Sequence, residues 1–206
     1  NELLKSIESV IPDSGTIIYT RQREMLGLGH AIWCARNVVG NEPFAVLLAD
    51  DLIQSDTPVL SQMLKEFENL QSTMIAVFEV EPSETQKYGI IDAENISHNV
   101  KKVMGLIEKP TPEKAPSNNA IIGRYILTPE IFDILGQKKI GSGGEIQLTD
   151  AMASLLKDQS IYGYQFKGTR FDCGDKAGFL MANIAYALER PEIKPKLMPF
   201  INSIVK

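Results

Sequence analysis

The chain has 206 residues, with 21 Lys+Arg against 26 Asp+Glu and a formal charge of −5. Its composition, 44% hydrophobic and 23% charged, is that of an ordinary globular protein and excludes disorder, collagen-like repeats and long coiled coils. The mild acidity argues against nucleic acid or an anionic membrane surface as the main partner. The longest apolar run, Phe44 to Ala49, is far short of the ~20 residues that span a bilayer, so no membrane anchor is expected.

Leu3, Leu4, Ile7, Val10 and Ile11 recur at helical spacing and predict a helix that stops at Pro12. Thr16 to Tyr19 predicts a short strand. After a polar loop, Gly27-Leu28-Gly29 opens a helix that runs to about Val39. The continuous apolar run Phe44 to Ala49 predicts a strand buried on both faces, ending in Asp50-Asp51. Val59, Leu60, Met63, Leu64 and Phe67 predict an amphipathic helix, and Met74 to Val80 a second buried strand. This αβαβαβ order predicts a mostly parallel sheet sandwiched by helices.

The second half changes character. Tyr88–Asp92, Val100–Glu108 and Ala120–Leu127 predict strands with no long helix between them, so the sheet becomes mixed. Pro129–Leu135 and Gln147–Leu156 predict helices, Ile161–Phe166 a strand and Asp175–Glu189 a helix. Apolar spacing at Leu197, Phe200, Ile201 and Ile204 predicts a closing tail helix over roughly 191–206. The whole chain, 1–206, is expected to form one α/β domain.

Ligands of open parallel sheets bind outside the carboxyl ends of the strands, where Asp50 and Asp51 fall. Carboxylates there either hold Mg²⁺ together with phosphates and water, or merely cap the next turn. Asp172, after another strand, is a second such carboxylate, while Asp175 stands where a helix N-cap belongs. Glu108-Lys109 ends a strand with an acceptor for sugar hydroxyls beside a cation for a phosphate, or else with two solvated charges. Gly27-x-Gly29 has Ile32 where a dinucleotide fingerprint needs glycine, and Gly141-Ser142-Gly143-Gly144 lacks the Lys-Ser/Thr of a phosphate-binding loop. Cys34 and Cys173 lie far apart without a C-x-x-C pair, which fits a reducing cytoplasm. His30 and His98 are the only histidines and read as structural or surface residues.

Several of these segments occur together in a telling order. Thr20-Arg21-Gln22 and Gly27-Leu28-Gly29-His30-Ala31 are followed by Leu48-Ala49-Asp50-Asp51, Tyr88-Gly89-Ile90 and Glu108-Lys109-Pro110. Then come Ala115-Pro116-Ser117-Asn118, Gly123-Arg124-Tyr125, Glu145 to Asp150 and Asp172-Cys173-Gly174. Nearly the whole chain thereby resembles the nucleotidyltransferases that make nucleotide sugars, and among them the bacterial uridylyltransferases of glucose 1-phosphate.

The resemblance implies a three-layer, Rossmann-like nucleotidyltransferase fold. It implies UTP and glucose 1-phosphate as substrates, UDP-glucose and pyrophosphate as products, Mg²⁺ as cofactor, a cytoplasmic setting and a homo-oligomer. Gln22 and Gly27 would meet the uracil. Asp50 and Asp172 would bind the metal and, with Lys109 on the sugar phosphate, form the catalytic set. Gly89, Glu108, Lys109, Asn118, Gly123 and Glu145 would line the sugar side. Asp51 departs from the pattern, since many relatives carry another residue there. The family's glycine-rich G-x-G-T-R loop is absent from these residues. The chain is therefore expected to be a C-terminal portion that is inactive by itself. Two alternatives stay open: another base or hexose, or a non-catalytic domain that binds nucleotide or sugar phosphate.

Overall fold

Along the strand Met74–Glu79, Ile75 and Val77 face one way, Met74 and Ala76 the other, and all four are fully buried. Side chains alternate with period two along a strand, so burial on both sides demands a layer above and a layer below. The structure, a computed structural model, describes residue 4 and residues 13–204.

The elements begin with α1 Leu28–Cys34, α2 Arg36–Val39, β1 Phe44–Leu47, β2 Asp51–Gln54, α3 Val59–Leu70 and β3 Met74–Glu79. They continue with β4 Gly89–Asn95, β5 Val100–Glu108, β6 Asn119–Leu127, α4 Ile131–Gly136 and α5 Leu148–Leu155. The chain closes with β7 Tyr162–Gln165, β8 Thr169–Asp172, α6 Lys176–Glu189 and α7 Lys194–Ile204. On one face of the sheet, Ile32 of α1, Phe132 and Leu135 of α4 and Met152 of α5 pack against Ile75, Val77 and Leu127. On the other, Val59 and Met63 of α3 pack against Met74, Ala76, Ile122 and Ile126. The result is the expected three-layer α/β arrangement.

The six-stranded sheet has the order β1-β6-β3-β7-β5-β4, and a two-stranded ribbon pairs β2 with β8. The pairings make β1, β3, β4 and β7 run one way and β5 and β6 the other. The sheet is mixed, as expected, but its neighbours are not mostly parallel. Among the described residues, β3–β7 is the one parallel pair, because β6 inserts between β1 and β3 and β5 lies beside β7. Helix–strand alternation reports the direction a strand runs. Which strand lies beside it is decided by long-range pairing, which leaves no local signal.

Three smaller corrections have the same origin. Residues 16–19 form no strand, and Ile17, Ile18 and Tyr19 are exposed, with no described strand to pair with. β1 is half-buried rather than fully buried: Phe44 stacks on Phe132 at 4.9 Å, while Leu47 faces outward. The helix expected from Gly27 to about Val39 breaks at Ala35, between α1 and α2. Apart from Leu4, the predicted helix before Pro12 lies outside the described residues. No described helix is long and apolar enough to cross a membrane.

Candidate active site

The short ribbon β2–β8 brings the two predicted metal carboxylates together. Asp51 pairs across from Asp172, and the Cys173 N–H donates to the Asp50 carbonyl at 2.7 Å, so Asp50 lies beside the end of β8. A Cβ built on Gly174 would stand 3.1 Å from Asp172 Oδ1 and 3.6 Å from Asp50 Oδ2. Both carboxylates therefore border one small space that a side chain at this position would fill. Asp50 is exposed and Asp172 half-buried, and no third Asp, Glu, His or Cys joins them among the described residues. Two hard oxygen donors with open positions fit a cation that keeps water and phosphate ligands, as Mg²⁺ does.

The helix after β8 holds this end still. Asp175 caps α6 by accepting from the Gly178 N–H at 3.0 Å. A Cβ on Gly178 would meet the Asp172 carbonyl oxygen, so this turn of α6 lies directly on the Asp172 backbone. Glycine is required there by contact.

Next to the carboxylates is a cleft of about 180 Å³ whose walls include Gly89, Glu108, Gly123, Thr149, Tyr88 and Arg170. Gly89 and Glu108 are register partners on β4 and β5. A Cβ on Gly89 would lie 2.9 Å from Thr149 Oγ1 and 3.2 Å from Glu108 Oε2, so the glycine keeps the polar wall open. Lys109 follows in the left-handed region, φ 46°, with its N–H on the Tyr88 carbonyl. Neighbours on an extended strand point to opposite faces, but this turn brings Lys109 Nζ to 3.7 Å from Glu108 Oε1. Glu108 is largely buried and Lys109 half-exposed, so the acid faces the cleft and the base its rim.

Arg170, on β8, ties these parts to one another. Its Nε donates to Asp51 Oδ1 at 2.5 Å, one terminal nitrogen to the Tyr88 hydroxyl at 3.1 Å, and the other to Asp172 Oδ2 at 3.2 Å. Its guanidinium also lies over the rings of Phe78 and Tyr88. Burial works against the guanidinium charge, but the Asp51 carboxylate and the Tyr88 hydroxyl outweigh it and hold the pKa above its ordinary value. Asp51 is buried, and its second oxygen accepts the Gly123 N–H at 2.7 Å. Of the two adjacent aspartates, Asp50 is thus open to a ligand and Asp51 is consumed by the scaffold. At the cleft floor, Tyr125 is pushed up first by burial, then by Asp51, Glu108 and Asp50, and stays a neutral phenol.

The other half of the site surrounds the start of α1. Gly27 has φ 95°, and a Cβ there would lie 2.7 Å from Glu145 Cβ, so glycine is required by both backbone and contact. Two backbone bonds lace this turn to the following segment, Gly29 N–H to Ile146 O at 2.9 Å and Ile146 N–H to Leu26 O at 2.7 Å. Gln22 Nε2 donates to the Gly27 carbonyl at 3.0 Å and lies 3.1 Å from His30 Nδ1.

The structure thus gathers Asp50 with Asp172, Gly89 with Glu108 and Gly123, and Gln22 with Gly27. Glu145 stands against Gly27 rather than among the cleft walls, and Thr149 from the same segment takes the place beside Gly89. Asn118 enters β6 with its carbonyl on the Val80 N–H, outside the cleft walls. Arg170, Tyr88 and Thr149 were not singled out from the sequence. Arg170 adjoins the Asp172 motif, but nothing local announces its partner Asp51, which precedes it by more than a hundred positions.

Comparisons with known proteins bear on the family and the fold. The Nucleotidyl transferase family model matches residues 3–189. The UTP–glucose-1-phosphate uridylyltransferase of Bacillus subtilis (strain 168) is 45% identical over 204 residues, covering 99% of this chain and 70% of that protein. The enzyme of the same name from Staphylococcus haemolyticus is 47% identical over 204 residues, again 99% and 70%. A solved UDP-glucose pyrophosphorylase complexed with UDP-glucose superposes with a TM-score of 0.86 at 47% identity, covering 92% of this chain and 72% of that one. The UTP-bound enzyme from Acinetobacter baumannii gives a TM-score of 0.87 at 35% identity, covering 98% and 71%. The chain belongs to the nucleotidyl transferase family, among the relatives of the bacterial UTP–glucose-1-phosphate uridylyltransferases.

Proposed function

We propose that this chain carries the uridylyl-transfer site of a UTP–glucose-1-phosphate uridylyltransferase, forming UDP-glucose and pyrophosphate. The observation that carries this reading is the convergence of the open carboxylate pair, Asp50 and Asp172, with the polar cleft of Gly89, Glu108 and Gly123. Gln22 and Gly27 meet the uracil. Glu108 accepts the sugar hydroxyls, and Gly89 and Gly123 admit the ring against bare backbone. Thr149 stands with them on the sugar side, whereas Asn118 and Glu145 lie outside the cleft walls, and Lys109 neutralises the sugar phosphate from the rim. The strained backbone of Lys109 supports that role, because it turns the ammonium to the same side as Glu108.

A phosphate oxygen of glucose 1-phosphate forms a bond to the α-phosphorus of UTP, and the bond from that phosphorus to the bridging oxygen of pyrophosphate breaks. The nucleophile is already an anion at neutral pH, so no general base is required. The obstacle is to bring two polyanions into line, which positioning and charge neutralisation overcome. Asp50 and Asp172 would hold Mg²⁺, which would supply Lewis acidity and charge neutralisation to the phosphates. Arg170 keeps Asp172 in place, and Asp51 keeps Arg170 in place. The two unpaired cysteines suit a cytoplasmic setting. Exposed Phe179, Leu180, Met181 and Ile184 on α6 suit a homo-oligomer.

The test is pyrophosphate release from UTP and glucose 1-phosphate, with and without Mg²⁺, for this chain and for the complete product of its gene. Mg²⁺-dependent release of UDP-glucose by the complete product is the expected result. A complete product that binds UTP or glucose 1-phosphate without converting them would replace this reading with a binding domain.

A further inference from the structure

The amide of Gln22 can be oriented without ambiguity. Its nitrogen is 3.0 Å from the Gly27 carbonyl, which only a donor can face. The same nitrogen lies 3.1 Å from Nδ1 of His30, a residue 8% exposed on α1. One amide proton goes to the carbonyl, so the other points at Nδ1, and Nδ1 must be the acceptor. The ring proton then sits on Nε2, which faces Cys34 Sγ, a weak acceptor, at 3.9 Å. Trp33 stacks beside the imidazole, with centroids 6.0 Å apart and planes 20° apart, and limits its rotation. Both amide protons of Gln22 are thereby used inside the protein. Oε1 makes no hydrogen bond to any described residue.

We propose that His30 is a specificity-determining positioning residue: as its Nε2–H tautomer it fixes the Gln22 amide so that only the carbonyl oxygen faces the nucleobase. This rests on the uridylyl-transfer reading, in which Gln22 meets the base. An oriented acceptor selects bases that present an N–H at the centre of their pairing edge, as uracil does at N3. Cytosine carries a lone pair at that atom, which would face the Oε1 lone pairs. An amide free to flip would instead offer N–H and accept cytosine. Rejection therefore depends on the group that prevents the flip, and a polar site that cannot adapt discriminates far better than one that can.

The experiment compares UTP with CTP as substrates, and as ligands followed by Trp33 fluorescence, in the complete gene product and its variants. His30→Leu removes the acceptor and is expected to reduce the UTP/CTP ratio of kcat/KM by about tenfold or more. KM for UTP should rise while kcat changes little. His30→Asn, whose side-chain oxygen can stand in for Nδ1, should restore most of the ratio. An unchanged ratio in a folded His30→Leu protein overturns the proposal, as does an Asn variant no better than the Leu variant. Should His30→Leu fail to fold, imidazole ¹⁵N shifts of the unsubstituted protein decide, with the His30 signal assigned by its loss in His30→Asn. A protonated Nε2 with bare Nδ1 is expected, and the opposite tautomer overturns the assignment. If the unsubstituted protein uses no UTP at all, the uridylyl-transfer reading fails first, and the ¹⁵N result still reports on the contact.

Discussion

The two halves of the site are held in different ways. On the sugar and metal side, Arg170 joins Asp51, Asp172 and Tyr88, and glycines at 89, 123 and 178 let other groups approach within contact distance. Asp51, Arg170 and Asp172 each have several restraints, and charge pairs supply much of the rigidity. On the base side, the Gln22 amide is held by a single carbonyl and a single imidazole nitrogen, on a loop without regular structure. Under the proposed function, the first half places charges in line and the second chooses a base. A charge misplaced by an ångström costs turnover, whereas a flipped amide costs UTP affinity and selectivity.

The following outcomes test this contrast, in descending size. Asp50→Ala should lower turnover roughly a thousandfold with the melting temperature unchanged, because Asp50 is exposed and acts through the ligand. A variant with near-normal Mg²⁺-dependent activity in the pyrophosphate assay would remove the metal assignment. Asp51→Ala, one residue on, should do the opposite and unfold more easily in urea by about 3–5 kcal/mol. It leaves Arg170, 12% exposed, without its main partner. Replacing both Asp51 and Arg170 with apolar residues should recover part of that stability but not the activity.

Gly27→Ala tests the weaker half. Its positive φ and the 2.7 Å approach of Glu145 Cβ predict a loss of about 1–3 kcal/mol, with UTP affinity falling more than glucose 1-phosphate affinity. Equal losses for both substrates in calorimetric titration would dissolve the division into halves. The smallest effect belongs to the cleft floor. Tyr125 has its pKa raised above its ordinary 10.0, so the folded protein keeps this proton longer than the unfolded chain. That contribution is fully present below about pH 10 and is lost as pH rises towards the folded value. Tyr125→Phe should leave neutral stability nearly unchanged and flatten the alkaline decline in melting temperature. Tyr164, raised mainly by burial, should account for part of the slope that remains.

Much of the site was legible in the sequence because its residues come as adjacent pairs and fixed motifs. Asp50 and Glu108-Lys109 each follow a strand whose apolar run can be recognised locally, and Asp172 stands in the Asp172-Cys173-Gly174 motif. Roles separated in space were not legible. Asp50 and Asp51 are chemically identical neighbours, and only the Gly123 N–H and Arg170 show that one is structural and the other free. His30 read as a structural residue until the fold set its Nδ1 against Gln22. β2 and β8, four residues each, carry too short a pattern to stand out, yet they align the carboxylates.

The sequence by itself determined the layers, the common direction of β1 and β3, and the candidate residues for phosphate and sugar. Those follow from periodicity and from side-chain chemistry, which are local. Only the tertiary structure decided that β6 separates β1 from β3, that Arg170 meets Asp51, and that Thr149 rather than Glu145 lies against Gly89. Each of these is a contact between distant segments, chosen by the packing of the whole sheet and its two helical layers, and no short stretch of chain encodes it.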